Sequence, residues 1–209
     1  MQKDLNVLYY KKQIQEAIDN LDKNKIHVLY FSYYFNWHNF YHNVLLITTK
    51  LLNLITGKPS IDHVTHICRF IFDNEEITYS AKIFEATMER GMEQNDLFDK
   101  LKSFQGICYI ETLDINVDKA KAKEFELTYT GIPYNKMLAA WSGIDINLLD
   151  KAVKAPKTNG GFCSWLESLF LIDQGIDLSD VQKGDALEIT PSDIFLKELG
   201  KKKIFYKYK

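Results

Sequence analysis

The sequence predicts an α+β domain, with a small antiparallel sheet packed against helices. Three observations predict it. The β-rich runs at 26–35, 64–72, 77–86 and 107–113 follow one another with helical patterns mostly before and after them, rather than between every pair. Two of these runs flank the polar stretch Asp73-Asn74-Glu75-Glu76, a hairpin signal that makes their pairing antiparallel. The chain has 209 residues, 46% apolar and 26% charged. That is an ordinary globular balance in a chain long enough to bury a core without staples.

The elements follow in order. Leu5, Leu8, Tyr9, Ile14, Ala17, Ile18 and Leu21 recur at helical spacing over 4–22, and Asn24 ends that helix. IHVLYFSYYF at 26–35 is the first strand. VLLITTKLLNLI at 44–55 reads as a buried helix stopped by Gly57-Lys58-Pro59. The hairpin strands 64–72 and 77–86 come next, then a third strand at 107–113. Residues 118–129 are helical, Gly131-Ile132-Pro133-Tyr134 is a turn, and 136–141 and 146–153 are short helical pieces. Asn159-Gly160-Gly161 is a loop, after which Cys163 opens a helix with Leu166, Leu169 and Phe170 on one face and Gly175 at its end. Thr190-Pro191 is an N-cap followed by proline at the first helical position. KKKIFYKYK is a short basic strand whose lysines read as a solvated face.

Composition narrows the function classes. A net charge of −2 and a pI of about 6.2 give no basic footprint for nucleic acid. Three widely spaced cysteines, with no CxxC, fit neither a disulfide framework nor a zinc ribbon. The five histidines contain no HExxH. No cofactor and no metal set is therefore expected. The N-terminal twenty residues lack the apolar core and cleavage site of a secretion signal, and 44–55 is too short and too polar to span a bilayer. These readings place the protein in the cytoplasm of the producing cell or in a particle assembled there. The aromatic run YFSYYFNWHNFY at 30–41 reads either as core and strand or as an apolar wall for an acyl chain or a docking surface.

Three residues stand out as chemistry. Cys163 follows two glycines and begins an apolar helix, where the positive end of the helix dipole favours thiolate. The alternative is a small core residue at a helix start. A four-residue hairpin loop puts Cys68 opposite Ala81 and His66 opposite Ile83. His66, Cys68, Phe70, Ile83 and Glu85 then share one face. His66 and Glu85 become diagonal neighbours, roughly 7–8 Å apart in backbone and bridgeable by their side chains. His63 points to the other face, and a loop one residue longer or shorter would exchange the two histidines. The opposite face, with Thr65, Ile67 and Arg69, reads as solvated. His66 also fits a satisfied core histidine, and Cys68 and Cys108 fit buried packing positions. Cys163, His66 and Glu85 compose a nucleophile, a base and an orienting group.

The local patterns resemble the circularly permuted, NlpC-type papain-like cysteine hydrolases of the YiiX/YaeF-like group. LLNLITGKPSIDHVTHICRFI is similar to that family's helix, turn and histidine strand. His66-Ile67-Cys68 matches its His-apolar-small pattern better than His63-Val64-Thr65. IFEATMERGM, GIPYNKM, GGFCSWLESLFLIDQGI and ITPSDIF resemble the family's later segments in the same order. The match runs over about 26–196. The chain departs at Lys25-Ile26, Arg69 and Trp165-Leu166-Glu167.

The resemblance implies a permuted papain-like domain at 26–209 behind an N-terminal helical extension at 1–25. It implies Cys163 as nucleophile, His66 as base and Glu85 as third residue of an amidase or peptidase, with peptidoglycan-type peptides as the leading substrate. The Cys163 backbone N–H is then an oxyanion donor. Lipid acyl hydrolysis or transfer is the second reading, and a non-catalytic particle or interaction protein the third. The expected partners are a peptide, a wall fragment or an acyl lipid, with no nucleic acid and no transmembrane segment.

Overall fold

The computed structural model describes residues 2–34, 64–71, 81–136, 139, 160–179, 189–197 and 199–208. The expected helix at 44–55, the hairpin turn at 73–76, the helical piece at 146–153 and His63 lie outside them. The described residues form six strands and five helices: α1 (Gln2–Asp19), β1 (Lys25–Tyr33), β2 (Val64–Ile71), β3 (Lys82–Thr87), β4 (Gly91–Asp96), α2 (Leu97–Ser103), β5 (Gly106–Asn116), α3 (Lys119–Tyr129), α4 (Cys163–Asp173), α5 (Pro191–Lys197) and β6 (Gly200–Lys207). The class is α+β. The strands make one sheet in the order β4-β3-β2-β1-β5-β6, every neighbouring pair antiparallel.

β1 lies inside the sheet, its edges paired with β2 and β5 and its faces covered by helices on either side, and its residues from Ile26 to Ser32 are buried. Alternation sends Leu29 and Phe31 to one layer and Val28 and Tyr30 to the other. The first layer joins Cys68, Phe70, Ile83, Cys108 and Ile110 to Ile14 and Ile18 of α1 and Leu97 and Leu101 of α2. The second joins Ile67, Phe84, Ala86 and Met92 to Cys163, Leu166 and Phe170 of α4, Phe125 of α3 and Ile194 of α5. The sheet is thus a wall between two cores.

Two sequence expectations change here. The hairpin register is Arg69 opposite Phe84, Phe70 opposite Ile83 and Ile71 opposite Lys82. Each β2 residue therefore meets a β3 residue four positions later than the short loop predicted. A shift by an even number keeps side-chain parity, so Glu85 stays on the face of Cys68. The face of Ile67 and Arg69 is buried, not solvated, because α4 and α3 cover it. β4 and α2, which the sequence patterns did not separate, follow directly from β3. Asp96 ends β4 and caps α2 by accepting from the Asp99 N–H at 3.0 Å.

Candidate functional site

β2 carries the site. Opposite its start, β1 shifts register: Phe31 faces His66, whereas Ser32 faces Val64. Thr65 is the extra residue, which makes this a β-bulge, a device that re-aims side chains. From there His66 projects into the layer of α1 and α2, its ring 5.8 Å from that of Phe31.

His66 meets Glu85. Imidazole Nε2 lies 2.7 Å from Glu85 Oε2. Glu85 is 3% exposed, and each of its carboxylate oxygens is engaged. Asn95 Nδ2 donates to Oε1 at 3.0 Å, and Lys100 Nζ of α2 donates to Oε2. The Lys100 ammonium also stands 3.2 Å from His66 Nε2 and over the Phe31 ring. Burial alone would raise the Glu85 carboxyl. The His66 hydrogen bond and the Lys100 charge outweigh it, and the carboxyl is pulled down to about 2. Burial would likewise lower Lys100, but Glu85 overrides it and the ammonium is held above its ordinary value. Glu85 and Lys100 stay charged, and both are within hydrogen-bond distance of His66 Nε2.

Cys68 is the cysteine beside this pair. Its sulfur, His66 nitrogen and a Glu85 oxygen all lie within 4.8 Å of one another, a spacing that three ligands of one metal ion can adopt. The Lys100 ammonium already supplies a cation to Glu85 there, and burial raises the Cys68 thiol well above its ordinary value. Three donors fit a metal in number, but the lysine counts against one.

Cys163 sits on the other side of the sheet. It is the first residue of α4, after Phe162 in an extended conformation, and it belongs to the layer of Ile67, Phe84 and Met92. Its thiol lies against the backbone N–H groups of Ile67 and Ser164 and its own N–H, the arrangement in which a helix start favours thiolate. Burial is the larger influence, since the residue is 5% exposed, and the thiol is pushed up to about 11. Cys108 and Cys68 are buried more completely and shifted further. The structure therefore joins His66 to Glu85 and brings Cys163 to the amide of the next residue, Ile67, but from the opposite face of β2.

The turns around Cys163 assemble several of the separated motifs. Gly91 adopts φ 79, and a side chain on it would strike the Ile132 carbonyl. Met92 N–H donates to Ile132 O and Gly131 N–H to Met92 O, each at 2.9 Å. Asn135 N–H donates to Gly161 O at 2.7 Å, and Tyr134 bridges Gly161. The GIPY turn thus ties β4 to the two-glycine approach of Cys163.

Sequence reasoning missed two groups. Lys100 reads as one more surface lysine in DLFDKLKS. The available signal was its place three residues after Leu97 and one before Leu101, on the buried edge of α2. The second is Arg69, 2% exposed, whose Nη1 donates to Glu167 Oε1 at 2.9 Å while its guanidinium stacks on Phe170 at 3.9 Å and Phe84 at 4.7 Å. Both members are departures from the hydrolase pattern, and they are one departure, a buried ion pair between β2 and α4.

Comparison of the chain with protein-family models, with curated proteins and with solved structures gives no match. No helix among the described residues is long and apolar enough to cross a membrane.

Proposed function

We propose that the chain is a thiol-dependent hydrolase of amide bonds, with a permuted papain-like arrangement of Cys163, His66 and Glu85. One observation carries the reading. The Cys163 thiol, at a helix N-terminus, is held by the amide next to His66, and His66 is itself held by Glu85 at 2.7 Å. The proposed nucleophile and base thus address adjacent positions of β2, the Ile67 amide and His66, from its two faces, with Glu85 on the base.

In this reaction the Cys163 sulfur bonds to the substrate carbonyl carbon. His66 takes the thiol proton and gives it to the leaving amine as the C–N bond breaks. Water, deprotonated by the same imidazole, then cleaves the thioester. Glu85 stabilises the imidazolium in both halves. The Cys163 N–H is turned to its own thiol in the described arrangement, so oxyanion stabilisation requires the thiol to release it. Proton transfer requires thiol and imidazole on one side of β2. The bulge at Thr65 is where that strand can rotate a residue between faces. A peptide of the peptidoglycan type is the substrate class the motif resemblance favours.

A second reading rests on the same geometry. With Cys163 buried and its thiol at about 11, the chain serves as a non-catalytic scaffold or interaction protein. Turnover of muropeptides, simple peptide amides and acyl lipids by the purified chain tests the choice. Amide cleavage lost in Cys163→Ala and in His66→Ala supports the hydrolase. Ester cleavage alone moves the substrate to lipids. Absence of turnover, with Cys163 inert to alkylation, leaves the scaffold.

A further inference from the structure

We propose that the Arg69–Glu167 pair is a proton-linked clasp on Cys163: with a proton on Glu167 it seats the start of α4 against β2, and loss of that proton lets α4 lift and exposes the thiol. Its use as a regulator of the nucleophile rests on the hydrolase reading, whereas the clasp itself is read from the thiol with or without turnover.

α4 meets β2 at two polar points. The Cys163 thiol lies against the Ile67 N–H, and Glu167 Oε1 accepts from Arg69 Nη1 at 2.9 Å. Four helical residues rise about 6 Å and two strand residues about 6.6 Å, so the two ties match and run in the same direction. Phe84 of β3 and Phe125 of α3 hold the guanidinium from outside α4, at 4.7 and 5.0 Å. Arg69 is thus fixed to the sheet, and α4 is the partner that can move.

The seat is short of partners for a charge. The buried side-chain atoms without a hydrogen-bond partner among the described residues are Thr65 Oγ1, Arg69 Nη2, Ser164 Oγ and Glu167 Oε2, all on β2 or α4. Glu167 is fully buried, and a carboxylate with one oxygen unserved keeps much of its desolvation cost. A second carboxylate, Glu126 of α3, stands 3.9 Å from Arg69 Nη2 and draws on the same cation. Burial and Glu126 together outweigh Arg69, and the Glu167 carboxyl is pushed up to about 7.

The other elements around α4 add no opposing charge at Glu167. From β1, Tyr30 is kept neutral by burial and donates to Glu111 of β5, which has Lys202 at 3.6 Å. β3 offers Phe84 and Ala86. On α5, Asp193 is bonded to Thr190 and Lys197 lies in the field of Asp177. On α4, burial keeps the Cys163 thiol protonated near neutral pH. Lifting α4 returns Glu167 to water and to its ordinary 4.5. The seated form therefore holds the extra proton between 4.5 and about 7. Lifting gains about tenfold per pH unit across that range and levels off above it, where both forms are ionised.

The test follows maleimide labelling of Cys163 by peptide mapping, from about pH 5 to 8, in the full chain and in Glu167→Gln. The ratio of parent to variant rates cancels the titration of the thiol itself. It should rise more than about tenfold between pH 5 and 7 and then level off. Low urea should leave Cys163 labelling nearly unchanged, because lifting one helix exposes little surface, while speeding Cys68 and Cys108, which lie in the other layer. A flat ratio, or three thiols speeded in step by urea, would overturn the proposal. Glu126→Gln removes the second carboxylate, so seated Glu167 ionises more readily and less is gained on lifting. Its Cys163 labelling should fall progressively behind the parent as pH rises to 7, and labelling equal to or faster than the parent would also overturn the clasp. If Glu167→Gln fails to fold, this variant still decides. Absence of amide turnover alongside the expected ratio would remove the hydrolase reading and leave the clasp. Turnover with a flat ratio would do the reverse.

Discussion

On the α2 side of the sheet, Glu85 is buried with a lysine, an imidazole and an amide, and both carboxylate oxygens are satisfied. On the α4 side, Glu167 is buried with one arginine. Its Oε2 has no hydrogen-bond partner among the described residues, nor has Arg69 Nη2 or Ser164 Oγ. Burial pushes both carboxyls up, yet they end on opposite sides of the ordinary value. Glu85 is pulled down to about 2, while for Glu167 burial outweighs the Arg69 charge and hydrogen bond and pushes the carboxyl up to about 7. Burial does not itself decide whether a carboxylate stays ionised; the number and placement of its donors do. The side with the satisfied charge is the one the proposed function uses for acid–base chemistry. The other holds α4, which begins at Cys163, on the sheet.

The sharpest way to break this contrast is to remove one cation from each side. Arg69→Met strands Glu167 and removes the guanidinium stack on Phe84, Phe125 and Phe170. It should destabilise the fold by about 3–5 kcal/mol in urea denaturation at neutral pH. Arg69→Met with Glu167→Leu should recover most of that, since an apolar pair replaces an imperfect ionic one. A double variant no more stable than the single one would show that the ion pair itself holds α4.

The pH dependence of stability separates the two carboxylates by sign. Glu85 has a folded value near 2 against an ordinary 4.5. Its contribution is complete above about 4.5 and is lost as pH falls toward 2, an effect of roughly 3 kcal/mol. Glu167 has a folded value near 7 against the same 4.5. The folded state then binds more protons between those limits, so stability falls by a similar roughly 3 kcal/mol as pH rises from 4.5 to 7. Denaturation from pH 2 to 8 should therefore show a maximum near 4.5. Glu167→Gln should flatten the upper limb and Glu85→Gln the lower. A single variant that flattens both would show one coupled network across the sheet.

If the chain is the proposed hydrolase, turnover gives the next largest effect. Glu85→Gln keeps shape and removes charge, so the imidazolium loses its counter-charge. Amide turnover should fall by about 10²-fold with circular dichroism unchanged. Unchanged turnover would mean that another group orients His66.

The smallest effect is in thiol reactivity. Brief alkylation near neutral pH followed by peptide mapping should mark Cys163 several-fold ahead of Cys68 and Cys108. Cys163 has the smallest upward shift of the three and three backbone N–H groups on its sulfur. His66→Ala should slow that labelling if the base reaches the thiol across β2. Labelling that ignores the change would confine His66 to its own face and favour the scaffold.

The sequence alone determined most of the local elements, β4 and α2 excepted, and their parity. Thr190-Pro191 set the start of α5, the glycines before Cys163 set the start of α4, and the polar stretch 73–76 announced the antiparallel pairing of β2 with β3. Period-two alternation put Glu85 on the face of His66, even though the register differed by four residues, because an even shift preserves faces. Only the tertiary structure decided which helix covers which face. Nothing local tells Arg69 that α4 will bury it against Glu167, 98 positions away, or tells Lys100 that α2 will set its ammonium on Glu85. Alternation assigns a residue to one of two sides. The packing of distant helices decides whether that side is water or core, and so which charges must find partners and on which side of β2 Cys163 stands.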